Sequence, residues 1–439
     1  MKLHWKVFTA LVASVVIGSI IQLSREYYPS PEIEAIVLGG CRFIGKLFFN
    51  ALKMIVVPLI VSSVICGMLG LGKERNFQRL GMKTLAYYFT SGFLAIMLGV
   101  LLVNFLQPGV VDRETALSLL VQAENPEDFI SHVKSHQDIN WGQMIADLIP
   151  NNIIAAAGDN GQLLGVIIFS IIFGFFISRL PQRYLQVQRQ FWISTMEVMT
   201  HITDFIIAFS PYGVFGLVTP VVADTGLDAA RPISWFFITV MLGLSLHAFL
   251  VLPLLMRLFG VDPIKHHRAV FPAILTAVSI SSSVSALPVT METVERRAGV
   301  SNRVASFVLP LGATVNMDGT ALYECVVVLF IGQFYGVISG EHLTWGVQML
   351  VVAMALLTSV GVAGIPSASL VSIAVILSKI GLPIESIGIV MVVDRVLDMV
   401  RTGVNVFSDT CGAAIIARSE GEVLQYTEDF CRREDELFE

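Results

Sequence analysis

Charged residues are scarce in this chain of 439 residues: Asp, Glu, Lys and Arg make up 14% of it, against 55% hydrophobic residues. The net charge of -6 comes largely from loops and the C-terminal tail, and no basic patch is present, which excludes a nucleic-acid-binding protein. Cysteine is as sparse, with Cys41, Cys66, Cys325, Cys411 and Cys431 scattered and no C-x-x-C spacing. Such a set excludes a disulfide framework and a thiolate metal site, leaving small core residues. No N-x-S/T sequon occurs and the loops are short, as expected of a bacterial inner membrane protein. What is abundant is apolar sequence. A mean hydropathy of +0.75 makes the chain an all-α polytopic membrane protein.

Apolar runs of helical length lie near 7–23, 43–71, 81–106, 144–179, 193–221 and 233–259. The first, after a basic start, reads as a membrane helix rather than a cleaved leader. The fourth is interrupted by Pro150, Asn151, Asn152 and the polar AGDNGQ stretch, and is expected to be bent or in several parts. Basic residues fall on alternate loops: Lys2 and Lys6; Lys73, Arg75, Arg79 and Lys83; Arg179, Arg183 and Arg189; Arg257, Lys265 and Arg268. The intervening loops are acidic or poor in them, so both termini are expected in the cytoplasm.

The simple alternation then stops. FPAILTAVSISSSVSALPVTMET places two short apolar arms around a serine cluster, with Arg268 before it and Arg296, Arg297 and Arg303 after. Both ends therefore belong to one face, and the segment should enter and leave there. The next span, about 304–336, is interrupted by Asn316, Asp318 and Gly319, and LLTSVGVAGIPSASLVSIAVIL repeats the hairpin pattern around a Gly/Pro/Ser tip. One further crossing must bring the chain back, so the second hairpin should dip in from outside. Two hairpins entering from opposite faces, each followed by a polar-interrupted span, make an inverted repeat. Irregular backbone at membrane depth survives around a cavity, which points to a site near the midplane.

The last span, about 386–418, carries Asp394, Arg395, Asp398, Arg401, Asn405 and Asp409. At roughly 100° per residue, all but Arg395 fall within an arc of about 80°. A charge at a helix centre costs roughly 2.5–3.5 kcal/mol on insertion, so this stripe must face protein or a water-filled cavity. Asp398 and Arg401, at i and i+3, can neutralise each other, which leaves Asp394, Asn405 and Asp409 unexplained. The serines Ser281, Ser282, Ser283 and Ser285 offer hydroxyls and free N–H groups suited to a carboxylate, or else form a plain hydrogen-bonded turn. Gly361, Gly364, Pro366 and Ser367 make a tip suited to a gate. Asn316, Asp318 and Thr320 supply hard oxygen ligands for a small cation, which Asn405 and Asp409 can complete. Thr90 and Ser91 are weak signals alone, since small hydroxyl residues commonly pack helices. Glu324 is a buried-carboxyl candidate for carrying a proton, or a structural hydrogen bonder.

SSSVSALPVT, NMDGTALYE, GVAGIPSAS and DRVLDMVRTGVNVFSD, in that order, resemble the dicarboxylate/amino acid:cation symporter family of glutamate and aspartate transporters. The match is densest over about 265–420 and reaches upstream through TSGFLAIMLG and SPYGVFGL. The resemblance implies eight transmembrane helices, two re-entrant helical hairpins and a homotrimer. It also implies a transport part, about 73–110 and 230–420, moving like an elevator against a scaffold of about 1–72 and 140–225, with 421–439 as a cytoplasmic tail.

Carried over by the same resemblance, Arg401 clamps the substrate's side-chain carboxylate and Asp398 takes its α-amino group. Ser282, Ser283, Thr320, Asn405 and the tip residues Gly364, Ile365 and Pro366 bind the remainder, with Thr402 in support. Thr90, Ser91, Asn316, Asp318, Asn405 and Asp409 match cation-ligand positions, with Gly312, Thr314, Ser359 and Gly361. Glu324 stands where proton-cotransporting members carry Glu and archaeal sodium-coupled members carry Gln, yet the cation ligands are intact, so H+, Na+ or both are co-transported. No cofactor is implied. Ile280 replaces an arginine that archaeal members carry before the serines, while Arg395 supplies one on the last helix. Ser408 and Gly403 also depart from commoner neighbours.

A C4-dicarboxylate has no ammonium for Asp398, and a neutral amino acid would leave Arg401 unpaired at several kcal/mol. Acidic L-amino acids satisfy both, so uptake of glutamate or aspartate across the bilayer is the expected function, with C4-dicarboxylate symport the alternative. An intramembrane hydrolase with Asp318 and a last-helix aspartate as a dyad is the rival of another class. It lacks a G-x-S-x-G motif and a histidine near the serines. A ligand-gated anion channel is the third reading.

Overall fold

A computed structural model describes residues 3–27, 31–69, 75–113, 115–116, 149–158, 163–225, 230–340, 342–359 and 369–426. Every regular element among them is helical. The first helices are α1 (Leu3–Tyr27), α2 (Pro31–Leu69) and α3 (Arg75–Leu106). The interrupted fourth run becomes the five-residue α4 (Ile153–Ala157), N-capped by Asn152, and α5 (Leu163–Ser178). There follow α6 (Gln182–Ala208) and α7 (Ser210–Thr225), bent by 51° at their junction.

α8 (Ala230–Leu246) passes through a π-helical turn, His247–Val251, into α9 (Leu252–Leu258). Pro253 has no N–H to give the carbonyl four residues back, and the wider turn absorbs that loss. α10 (Pro263–Ile280) and α11 (Ser283–Arg296) form the first hairpin. Asp262 Oδ1 caps α10 by accepting from the N–H groups of Ile264 and Lys265. At the tip Ser281 takes a left-handed conformation, φ 56°, and Ser282 Oγ caps α11 through the Ser285 N–H.

The polar-interrupted span is α12 (Asn302–Val315) and α13 (Asp318–Ser339), separated by the non-helical Asn316 and Met317. α14 (Trp345–Ser359), α15 (Ser369–Lys379), a 3-10 turn (Ile384–Ile389) and α16 (Met391–Ser419) complete the chain. The second hairpin's tip, including Gly361, Gly364, Ile365 and Pro366, lies outside the described residues, as do most of the 111–138 loop and the tail beyond 426.

Six apolar runs, the fourth of them interrupted, are expected from hydropathy. Among the described residues, Arg79–Leu106, Arg231–Leu258 and Asn302–Ser339 are long and apolar enough to cross a membrane, and the bent α6–α7 pair makes a fourth if counted as one. Asn302–Ser339 differs from the other two: 89% of its apolar stretch is buried in protein against 39% for each of them. α13 is thus the central helix, apolar beyond its first two turns apart from Gln333 and its last turns.

Helices pack in two groups: α1, α2, α5, α6 and α7 contact one another, while α3 and α8–α16 gather around α13. At one end of the second group the turn after α16 is tied down. Glu420 accepts from Arg79 at 2.5 Å and Lys83 at 2.6 Å, and Glu422 Oε1 accepts from the Ser301 hydroxyl at 2.6 Å. The Arg79 and Lys83 hydrogen bonds hold the Glu420 carboxyl below its ordinary value of 4.5. A lowered carboxyl contributes stability that is fully present above pH 4.5 and is lost as the pH falls through the lowered value. Below pH 4.5 the native melting temperature should therefore fall more steeply than that of Glu420→Gln; parallel curves in a thermal-shift titration would remove this tether from the account.

Candidate substrate and cation site

The stripe on α16 faces protein, as its desolvation cost requires: Asp394, Asp398, Arg401, Asn405 and Asp409 are all buried. Spacings of three and four residues stack them on one face, and the N-terminal turns of α13 lie against them. Two clusters result.

The first centres on Arg401, 2% exposed. Its Nη2 donates to Asp398 Oδ1 at 2.5 Å, its Nη1 lies 3.7 Å from Asp394 Oδ1, and its guanidinium sits 4.3 Å over the Tyr323 ring. The Tyr323 hydroxyl donates to Asp394 at 2.8 Å, and Arg395 Nη1 donates to Asp398 Oδ2 at 3.4 Å. Asp398 and Arg401 thus do neutralise each other here. Asp394, unexplained in the sequence, is the counter-ion on the far side. The ion pairs leave one valence open, since Arg401 Nη1 is buried with no hydrogen-bond acceptor among the described residues. A buried guanidinium donor without an acceptor is a ready seat for one carboxylate oxygen.

The second cluster gathers around Asp318 and Asn316 at the break between α12 and α13. Asp318 Oδ2 accepts from Ser408 Oγ at 2.6 Å and lies 3.0 Å from His247 Nε2; Asp318 Oδ1 accepts from Ser91 Oγ at 3.2 Å. Asn316 Nδ2 lies 2.9 Å from Asp409 Oδ1 and 3.0 Å from Ser408 Oγ. Gly312 is required where it is, because a Cβ there would run into Asp409 Oδ1 and lie 2.8 Å from the Tyr88 hydroxyl. Among the described residues neither Asp318 nor Asp409 forms an ion pair with Lys or Arg; His247 is the one basic neighbour of Asp318. Two buried carboxylates within one hydrogen-bonded cluster call for positive charge. Amide, hydroxyl and carboxylate oxygens suit a hard cation.

Asn405 joins the two clusters. Its Oδ1 accepts from the N–H groups of Gly319 at 2.8 Å and Thr320 at 3.3 Å, and its Nδ2 donates to Thr320 Oγ1 at 3.0 Å. It thereby satisfies the open N–H groups at the start of α13. Gly319 permits the approach: a Cβ there would lie 2.8 Å from the Arg401 carbonyl.

Ser91, Asn316, Asp318, Thr320, Asp398, Arg401, Asn405 and Asp409 are brought together, and Thr402 Oγ1 donates to the Asp398 carbonyl at 2.7 Å. Thr90, Thr314 and Ser359 are not joined to either cluster: their hydroxyls donate to Ala86, Leu311 and Leu356 of their own helices. Ser282 is engaged at the hairpin tip with Ser285, and Ser283 is buried beside it. Glu324 is fully buried on α13, where its Oε2 accepts from Thr358 at 2.8 Å, Ser372 stands beside the carboxylate, and Oε1 has no hydrogen-bond partner among the described residues. Sequence reasoning missed His247 and Tyr323. For His247 the signal existed, as an ionisable residue inside an apolar span; Tyr323 carries none.

The model of the sodium:dicarboxylate symporter family matches residues 3–419. The chain belongs to that family. The symporter is 30% identical over 430 residues to the proton/sodium-glutamate symport protein of Geobacillus stearothermophilus, covering 97% of this chain and 96% of the relative. It is 31% identical over 422 residues, 95% of this chain and 93% of the relative, to the proton/glutamate-aspartate symporter of Escherichia coli (strain K12). An excitatory amino acid transporter of Caenorhabditis elegans is 33% identical over 441 residues, with 92% and 86% covered. Membership makes the symporter a transporter and not an enzyme, and removes the hydrolase reading of Asp318 and its neighbours.

Proposed function

We propose that this symporter takes up L-glutamate or L-aspartate, with Na+, H+ or both as the driving ions. The observation that carries the reading is the pair of clusters where α13 meets α16: a buried arginine with one open donor beside Asp398, and a buried acidic group of Asp318 and Asp409, the latter about two turns further along α16. An acidic amino acid presents an anionic side chain to Arg401 and an ammonium to Asp398; a C4-dicarboxylate would bring a second anion against Asp398. Ser282, Ser283, Thr320, Thr402 and Asn405 complete the substrate site with Gly364, Ile365 and Pro366. Ser91, Asn316, Asp318, Asn405 and Asp409 hold the cation, with Thr90, Thr314 and the carbonyls of Gly312, Ser359 and Gly361 joining as the second hairpin closes. Glu324 carries the proton. Closing that hairpin stably only when both sites are filled couples the ion to the substrate.

The architecture belonging to this reading has eight transmembrane helices and two re-entrant hairpins in inverted repeat. The scaffold is 1–72 and 140–225, and the transport part is 73–110 and 230–420, moving as an elevator in a homotrimer. The separate packing of α1, α2, α5, α6 and α7 from the helices around α13 supports that division. The basic loops support cytoplasmic termini, and the short loops without sequons support a bacterial inner membrane.

Proteoliposome uptake tests the reading, with labelled L-glutamate, L-aspartate and succinate under imposed inward sodium or proton gradients. Acidic amino acid uptake under at least one gradient is expected, well above succinate uptake; none under either would end the substrate assignment. Asp318→Asn should raise the half-saturating concentration of the driving cation at least about tenfold, since it removes roughly 1.4 kcal/mol or more of charge attraction. An unchanged cation dependence would move the cation site elsewhere.

A further inference from the structure

Outside both clusters, an apolar furrow runs along the outer side of α8–α9 and α10. Its larger part, about 380 Å³, is walled by Phe249, Leu254, Ile264 and Phe407, and Arg257 and Arg268 stand on its rim. A second part of about 140 Å³ continues past Phe249 and Phe407 to Val278 and Val404, towards the middle of α16. The surrounding surface is hydrocarbon: Phe249 and Leu258 are 68% and 78% exposed, and Phe271 and Leu275 are half exposed. The furrow opens at the tethered end of the bundle, for the tight turn at Gly260 faces Arg418 near the end of α16.

Arg257, Lys265 and Arg268 are exposed there, and none has an acidic partner among the described residues. Asp262, the carboxylate nearest in sequence, already caps α10. Two unneutralised guanidiniums at the mouth of a hydrocarbon-lined furrow, on a protein that lives in a bilayer, match an anionic headgroup joined to an acyl chain. An ion alone would leave the apolar walls uncovered. A neutral lipid would leave the arginines unpaired.

We propose that this furrow seats one anionic phospholipid of the surrounding bilayer, its phosphate between Arg257 and Arg268 and one acyl chain lying past Phe249 and Phe407 towards Val278. The competing occupant is the chain's own acidic tail. It departs from Tyr426, whose hydroxyl lies 3.4 Å from His266 Nδ1, and carries Glu428, Asp429, Glu434, Asp435, Glu436 and Glu439.

The test uses the purified full chain, stripped of lipid and given phosphatidylglycerol or phosphatidylcholine of identical acyl chains, with retained lipid counted by native mass spectrometry and melting temperature followed alongside. Retention of phosphatidylglycerol at least about tenfold above phosphatidylcholine is expected, with a matching rise in melting temperature. Arg257→Gln with Arg268→Gln should bring retention down to the phosphatidylcholine level while the melting temperature in phosphatidylcholine stays native. Leu254→Trp, which fills the apolar part and leaves both arginines, should lower phosphatidylglycerol retention as well. Equal retention of the two lipids by the native protein overturns the proposal, as does a double variant that still discriminates between them. Retention unaffected by Leu254→Trp reduces the effect to surface charge and overturns the seat. If phosphatidylglycerol binds only after truncation following Tyr426, the tail is the occupant and the lipid proposal falls.

Discussion

Arg401→Ala should lower uptake of L-glutamate and L-aspartate at least about 100-fold at fixed substrate concentration. The side chain is 2% exposed, paired with Asp398 and Asp394, and its Nη1 has no hydrogen-bond acceptor among the described residues. Removing one partner of a buried charge pair costs about 3–5 kcal/mol, which exceeds the 2.8 kcal/mol or so that corresponds to 100-fold. Part of that loss is structural, because Asp394 and Asp398 would face each other with only Arg395 and the Tyr323 hydroxyl to compensate. Arg401→Lys separates the two effects. It keeps the charge between the aspartates and so should recover most of the melting temperature, but an ammonium lacks the planar fork that grips a carboxylate through two N–H groups. Uptake by the lysine variant is therefore expected to stay at least about tenfold below native. Full recovery of uptake by lysine would refute the two-point grip, and full activity of the alanine variant would take Arg401 out of the site.

Glu324→Gln should abolish uptake driven by a proton gradient alone and spare exchange of internal for external amino acid. The carboxyl group lies inside α13 with a hydrogen bond from Thr358, Ser372 beside it, and a second oxygen that has no hydrogen-bond partner among the described residues. That second oxygen is where a proton can reside. Glutamine keeps an acceptor for Thr358 and the same volume, so packing survives while the titrating oxygen is lost. Net uptake needs the proton to come off and return once per cycle, whereas exchange does not. The measurement is labelled uptake with imposed pH or sodium gradients beside exchange in preloaded vesicles. Unchanged proton-driven uptake would reduce Glu324 to a packing residue, and loss of exchange together with net uptake would mean that the variant had damaged the substrate site.

Much of this arrangement was legible in the residues themselves. The polar stripe on α16 follows from spacing and from the expense of charge in hydrocarbon. The hairpin α10–α11 follows from basic residues at both ends of a segment with a serine-rich middle, and the break before α13 from Asn316 and Asp318 within an apolar run. What escaped were contacts set by how helices cross. His247 reaches Asp318 from a different span, and Tyr323, one residue before Glu324, turns to Arg401 and Asp394. Neither partner is encoded by separation along the chain.

The internal pairing on α16 has a consequence for how the protein is made. Asp398 and Arg401 lie one turn apart and compensate each other before any other helix is present, so this segment can leave the ribosome as a nearly neutral unit. Asn405 and Asp409 have no such local partner. They take theirs from Gly319, Thr320 and Asn316, all translated about 85 to 93 residues earlier. The final helix therefore has to be received by an assembly already waiting in the membrane, and biogenesis ends by docking it there rather than by releasing it into lipid.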